Sequence, residues 1–321
     1  MNINLIKQNQ MNINLIKQNQ MNINLIKQNQ MNEILNESTN EIQNNVINPL
    51  VMKQVKQTEQ TEQVKQTEQV KQNESMNEIE QTDRVIIIVP TYNRKKFFPS
   101  LMYQFAYQDY PKHLLKMIIL DDSENSNQDY IDLLDDELKQ RITYIYSDKK
   151  KPIGEKRNLL NQYAIEMGTD YIVCFDDDDY YPSDKVSYAV GRLKETGYLI
   201  CGSSVLLIYY SYQNKIYLTK TKVNRIFYGH AYNGTLVYKT KYAEINKYDN
   251  TKTSGEEQSF LRNFKVGLLQ LDYNKVMLCM SHNTNTVDKN DKINLFEETE
   301  IKMEDIITDN FLLNFFKNLT K

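Results

Sequence analysis

From Arg84 onward, short apolar runs alternate with amphipathic segments of helical length, and that alternation predicts a parallel sheet with crossover helices. The runs RVIIIVP at 84–90, KMIILDD at 116–122, RITYIYS at 141–147 and DYIVCFD at 170–176 read as four strands. Helices are expected over 95–108, 128–139, 154–167 and 183–196, the last opened by Pro182 with Ser183 as its N-cap. After Gly197 the pattern changes. YLICGSSVLLIYYS, NKIYLTKT and GTLVYKT read as strands joined by short turns, so the second half is expected to be antiparallel or mixed. A helix near 256–266, strands in LLQLD and KVMLCMS, and an amphipathic helix in EDIITDNFLLNFFKNL close the chain. On that last helix Phe311, Leu312, Phe315 and Phe316 read as core or interface positions. The fold class is α/β, a mixed sheet flanked by helices.

Upstream of Arg84 the periodicity is of another kind. Three copies of MNINLIKQNQ precede the ladder VKQTEQTEQVKQTEQVKQ, without an aromatic residue in the first 80 positions. Such a composition buries too little apolar surface to offset its ordering entropy. Residues 1–83 are therefore expected to be a disordered repeat segment suited to linkage or self-association, 84–286 to be the folded domain, and 287–321 to be a helical extension.

Charge narrows the partners. Thirty-nine basic against 42 acidic residues leave a net charge of −3, without the basic stripe that a nucleic-acid backbone demands. Cys174, Cys201 and Cys279 are odd in number and set in apolar contexts, as reduced core thiols would be. No window is apolar over the roughly 18 residues of a membrane span, so a soluble, cytoplasmic protein is expected. The 23 tyrosines fit sugar-stacking platforms or a coding bias alike.

The polar residues at the carboxyl ends of the predicted strands carry the candidate chemistry, because open α/β sheets bind ligands there. In CFDDDDYYP four carboxylates follow a buried strand, an arrangement that adjacent like charges disfavour unless a cation joins them. An extended backbone sends Asp176 and Asp178 to one face and Asp177 to the other, and an all-oxygen pair favours Mg2+ or Mn2+. A calcium EF-hand loop is excluded, since its sixth position lacks glycine and Pro182 falls within it. PTYNR places Pro90, Thr91, Tyr92 and Arg94 at the first rim, with an aromatic face for a planar ligand. Asp121 and Asp122 at the second rim read equally as ribose or base acceptors and as a turn with a helix cap. In KKKPIGEKRNLL the cations Lys156 and Arg157 sit in a helix's first turn, where the macrodipole disfavours them, and a nearby anion such as a diphosphate would relieve that cost. Glu256 and Glu257 in TSGEEQSFL read as a general base or, with Ser254, as a capping box. His282 ends an apolar strand as a metal ligand would, whereas His113 and His230 lie in polar loops.

Taken in order, VIIIVPTYNR, IILDDS, GEKRN, VCFDDDDYYP and SGEEQSFL resemble the successive motifs of family 2 glycosyltransferases, over about residues 84–285. The resemblance implies a GT-A-like fold and inverting transfer of a sugar from a nucleotide-sugar, usually a UDP-sugar, to an acceptor hydroxyl on a glycan, protein or small molecule. It implies that Tyr92 stacks on the uracil with Pro90, Thr91 and Arg94 nearby, and that Asp121, with Asp122 second, binds the uracil or ribose. Lys156, Arg157 and Asn158 would lie toward the diphosphate. Asp176 and Asp178 would be the Asp-x-Asp motif, flanking Asp177, and with His282 would hold the Mn2+ or Mg2+, Asp178 as the direct ligand. The family's base is the Asp of an acidic pair; Glu257 stands at that position, with Glu256 beside it. The chain has no tryptophan, and so lacks the Q-x-x-R-W motif of processive synthases, which points to transfer of one or a few sugars.

Two other readings are weighed against this one. A sugar nucleotidyltransferase needs a glycine-rich loop after the first strand, and PTYNRKKFFPS has no glycine. An inactive nucleotide-sugar-binding or assembly protein is compatible with the repeats and with the unusual Glu257.

Overall fold

The computed structural model describes residues 82–219, 229–282, 293 and 296–319. The repeat segment expected over 1–83 therefore lies outside the described residues except for its last two positions, and so does most of 283–295.

The first half alternates as the pattern predicts. Strand β1 (Val85–Thr91) leads through a 3-10 turn to α1 (Phe98–Tyr107), then β2 (Leu115–Asp121), α2 (Gln128–Asp132), α3 (Asp136–Lys139), β3 (Ile142–Tyr146), α4 (Ile153–Glu166), β4 (Tyr171–Cys174) and α5 (Lys185–Thr196). Strands β1 to β4 are parallel neighbours in the order β3-β2-β1-β4. Because β1 is covered on both faces, its run is continuously apolar rather than alternating. Val85, Ile87 and Val89 join the cluster of Phe98, Leu101 and Phe105 on α1 and Val186 and Val190 on α5. Ile86 and Ile88 join Leu160 and Ala164 of α4 on the other face.

The second half follows as β5 (Ile200–Gly202), β6 (Leu207–Tyr210), β7 (Lys215–Thr219), β8 (Val237–Lys239), α6 (Thr240–Ile245), α7 (Glu257–Phe260), β9 (Leu269–Gln270), β10 (Leu278–Ser281), β11 (Phe296–Glu298), α8 (Met303–Ile306) and α9 (Asn310–Leu319). Strand β8 pairs antiparallel with β4 and β5, which extends the main sheet to β3-β2-β1-β4-β8-β5-β9. A second sheet, β10-β6-β7-β11, packs Leu207, Tyr209, Ile216 and Met280 against Met303, Ile307, Leu312 and Phe316. The main sheet is thus mixed and flanked by helices.

Several expected elements are shorter or divided. The single helix expected over 128–139 is α2 and α3, separated by Asp135, whose side chain caps α3 by accepting from the Leu138 N–H at 2.9 Å. The helix expected over 256–266 is only α7, because Arg262, Asn263 and Phe264 take φ of 50°, 53° and 61°, a left-handed run that no helix continues through. Its N-cap is Glu256 with no capping side chain, so the Ser254–Glu257 box does not form. Nor does Ser183 cap α5, whose N-cap is Asp184 without a side-chain bond. The closing helix divides at Asp309, which accepts from the Leu312 N–H at 2.9 Å and starts α9 anew.

One feature of this topology positions the polar residues at the strand ends. Strand β1 pairs with β2 as far as Thr91 but with β4 only as far as Ile88. Pro90, lacking an N–H, falls where the β4 side has already ceased to pair, and the two strands part there. The order reverses between β1 and β4, so the gap is the switch-point crevice of the sheet.

Candidate active site

The four aspartates after β4 are drawn to four different partners. Asp176 accepts from Nη2 of Arg157 at 2.8 Å. Asp177 turns under β1 and accepts from the Thr91 hydroxyl at 2.5 Å. Asp178 lies 3.1 Å from Nε2 of His282, with Nε of Arg94 at 3.6 Å. Asp179 accepts from the Met280 N–H at 2.7 Å and ties the loop to the second sheet. Burial first, and the Asp178 charge next, push the Asp177 carboxyl well above the usual range.

At the second rim the two aspartates are both engaged by the protein. Asp121 is fully buried; it accepts from Asn127 at 2.7 Å, from the Tyr144 hydroxyl at 2.6 Å, and from the Ser123 N–H and hydroxyl. Asp122 accepts from Lys156 at 2.6 Å and from the Lys151 N–H at 2.7 Å. Lys156 also donates to the Thr91 carbonyl at 2.9 Å, so this buried pair joins β1, β2 and α4. Asn158 donates to the Tyr248 carbonyl and accepts from its N–H, at 2.8 and 2.9 Å, which fixes the segment before α7. The macrodipole cost of Lys156 and Arg157 is thus relieved by carboxylates of the chain itself. At the first rim, Tyr92 is half-buried with the Lys150 ammonium 3.9 Å from its ring centre, and Asn93 holds a φ of 54°.

Arg157 is the joint of the site. Its Nε donates to Glu256 at 2.8 Å while Nη2 holds Asp176, and its buried Nη1 has no partner. Glu256 also accepts from Nδ2 of Asn233 at 2.7 Å, and Asn233 in turn accepts from the Tyr248 hydroxyl at 2.9 Å. The Glu257 carboxyl is held instead by its own backbone N–H. Burial first, then the Glu256 charge, raises its carboxyl above the ordinary glutamate value, while Arg157 opposes. Two neighbours complete the floor. The carbonyl of Gly234 accepts from Lys185, which also donates to the Cys174 carbonyl at 3.0 Å and lies 4.3 Å from the Tyr181 ring centre. Burial pulls the Lys185 ammonium down to about 7.

The structure therefore brings Thr91, Lys156, Arg157, Asp176, Asp177, Glu256 and Glu257 to one crevice, with Arg94, Asp178 and His282 on its second wall. It does not gather the expected metal triple. Asp178 and His282 meet, but Asp176 is drawn away by Arg157, and no group of three or more His, Cys, Asp or Glu side chains that could hold a metal ion occurs among the described residues. The pair does suit a divalent ion: neighbouring ligands on an octahedral ion with bonds of about 2.1 Å stand about 3 Å apart, and Asp178 and His282 are 3.1 Å apart. A mixed carboxylate and imidazole pair fits Mn2+ better than Mg2+. Asn233, Gly234, Tyr248 and Lys185 escaped the sequence reading. Only NGT before a strand hinted at a tight turn, and nothing in Lys185 separates it from a surface lysine at a helix start.

The model of the family described as "Glycosyl transferase family 2" matches residues 86–260, more than half of the chain. In sequence, 110 residues are 26% identical to the poly(ribitol-phosphate) beta-N-acetylglucosaminyltransferase TarS of Staphylococcus aureus, a stretch covering 34% of this chain and 18% of the relative. Among solved structures, S. aureus TarS 1-349 in complex with UDP-GlcNAc aligns with a TM-score of 0.48 at 20% identity, covering 63% of this chain and 60% of that one. The mannosyltransferase PcManGT of Pyrobaculum calidifontis, in complex with GDP-Man and Mn2+, aligns with a TM-score of 0.49 at 14% identity, covering 63% and 58%. No helix among the described residues is long and apolar enough to cross a membrane.

Proposed function

The chain belongs to glycosyl transferase family 2, and from that premise we propose that it transfers a sugar from a nucleotide diphosphate donor to an acceptor hydroxyl, with inversion, in a single non-processive step. The observation that carries this reading is the guanidinium of Arg157, which binds Asp176 on one side and Glu256 on the other. It sets the Asp-x-Asp loop and the acidic pair across one crevice, as attack from the face opposite a leaving group requires.

Glu257 is the general base. It accepts the acceptor's proton, and a carboxyl raised by burial is a stronger base than an ordinary glutamate. Glu256, tied by Arg157 and Asn233, is held out of the proton transfer. Asp178 and His282 would hold Mn2+ or Mg2+, which when bound stabilises the charge that develops on the leaving diphosphate. Tyr92 offers its ring to the base of the nucleotide, and the unpartnered Nη1 of Arg157 is a donor ready for the charge that develops on the leaving diphosphate. A UDP-N-acetylhexosamine heads the donor panel because the S. aureus relative is a beta-N-acetylglucosaminyltransferase.

Release of UDP from a panel of UDP-sugars by the full chain, with Mn2+, with Mg2+ and with chelator, tests the reading beside Asp178→Asn. Metal-dependent release from one donor, absent in the variant, supports it. No release from any donor, together with no calorimetric binding of UDP and metal, overturns it.

A further inference from the structure

The proposed reaction gives no role to Asn233, a buried polar residue beside the acidic pair. Asn233 is 8% exposed and sits in the 3-10 turn Asn233–Thr235, between the Asp-x-Asp loop and the acidic pair. Its amide faces two ways. The Tyr248 hydroxyl donates to Oδ1 at 2.9 Å, which fixes the amide so that Nδ2 points at Glu256, 2.7 Å away. Tyr248 is itself held, since its ring stacks on Phe260 of α7 at 4.1 Å and its backbone is clamped by Asn158. The orientation of the amide is therefore imposed rather than chosen by Glu256. Oε1 of Glu256 takes both this bond and the one from Arg157, whose other arm reaches Asp176.

We propose that Asn233 is a positioning residue for sugar transfer, which through Glu256 fixes both the guanidinium of Arg157 and the start of the helix carrying Glu257. The inference rests on the transferase reading and adds to it a residue outside the motifs. A hydrogen-bond donor is needed at this position because the Glu256 carboxyl is buried. With Asn233 removed, one of two donors to its oxygen is gone, and a buried acceptor short of donors moves. That movement shifts Arg157 and the adjoining Glu257 while leaving Tyr92, Asp178 and His282 where they are. The signature is accordingly a fall in kcat with little change in the donor's KM.

The test uses the full chain with Mn2+ and the donor that the wild type cleaves. Asn233→Asp replaces the donor amide by an acceptor facing Glu256, and kcat is expected to fall about tenfold or more, as losing one buried hydrogen bond to a charge implies, with donor KM within about twofold. Tyr248→Phe removes only the orienting hydroxyl, and a smaller fall in the same parameter is expected. It guards against a folding defect in the first variant, as does calorimetric UDP binding by both. Wild-type kcat in Asn233→Asp, or a change confined to KM, would overturn the assignment. A wild type that cleaves no donor overturns the transferase reading and this role with it, whereas an active wild type with an equally active Asn233→Asp overturns this role alone.

Discussion

Gly234→Ala isolates the geometry of the crevice, because the residue is not in the left-handed region and the substitution adds a methyl group without backbone strain. That methyl would stand 2.8 Å from Oδ2 of Asp176, 3.0 Å from Sδ of Met277 and 3.0 Å from the Tyr181 hydroxyl. Ordinary contact begins at 3.4 Å, so the carboxylate must retreat by 3.4 − 2.8 = 0.6 Å. Little gives way instead: Tyr181 is stacked on Phe175 at 3.7 Å and accepts from the Asp176 N–H at 2.6 Å, while Arg157 holds the other oxygen. Misplacing a reacting group by about 1 Å costs on the order of a hundredfold in rate, so a displacement of 0.6 Å is expected to cost about tenfold. The overpacked floor should lower stability by about 1–3 kcal/mol. The assay is UDP release at saturating Mn2+ and donor, corrected for the folded fraction measured by urea unfolding. A folded Gly234→Ala protein with kcat within twofold of wild type would refute the argument that Asp176 is held at a fixed place by its neighbours.

Lys156→Met leaves Asp122 buried beside an apolar stem, and unfolding by urea should show a loss of about 3–5 kcal/mol, most of it recovered when Asp122→Leu is added, since a buried pair is costly to break and cheap to replace. Glu257→Gln should lower turnover by about a hundredfold or more, and in the wild type the acidic limb of kcat/KM should fall at a pH above the ordinary glutamate value, the rate rising with pH as the base loses its proton. Lys185, pulled down to about 7 by burial, binds fewer protons in the folded than in the unfolded chain above that pH. Its contribution therefore makes stability rise between about pH 7 and the ordinary lysine value, and Lys185→Met should flatten that slope in urea titrations.

Strands β1, β2 and β4 of the main sheet were legible because they are short, largely apolar and buried on both faces, a pattern that survives any tertiary context. The helices were less so where polar residues compete for the backbone: Asp135 and Asp309 restart helices within what reads as one amphipathic run. The second sheet was hidden because YLICGSSVLLIYYS reads as one strand, yet Ile200–Gly202 and Leu207–Tyr210 belong to different sheets. At the site, the motifs identified the carboxylates but not their allegiances. Nothing in DDDD says which aspartate turns to Arg157, which to Thr91 and which to His282, because those choices depend on strands and helices distant in sequence.

The balance of charge in the crevice argues for the order in which ligands bind. Asp122, Asp176, Asp177, Asp178, Glu256 and Glu257 face Lys156, Arg157 and Arg94, six carboxylates against three cations, and counting Lys150 over Tyr92, with Lys185 in the floor and Asp179 near it, still leaves an excess of two. Protonation of Asp177, which its burial favours, removes only one of these. A free diphosphate would enter a negative field without reward, since the basic side chains are already paired with carboxylates. A divalent ion at Asp178 and His282 reverses the sign locally and gives the phosphate oxygens a partner. Calorimetry should accordingly show UDP binding with Mn2+ at least about tenfold tighter than with chelator, as a change of little more than 1.4 kcal/mol suffices to produce. Equal affinity in the two conditions would mean that Arg157 and Lys156 leave their carboxylates to bind the nucleotide, and the division of the aspartates described above would then belong to the ligand-free state alone.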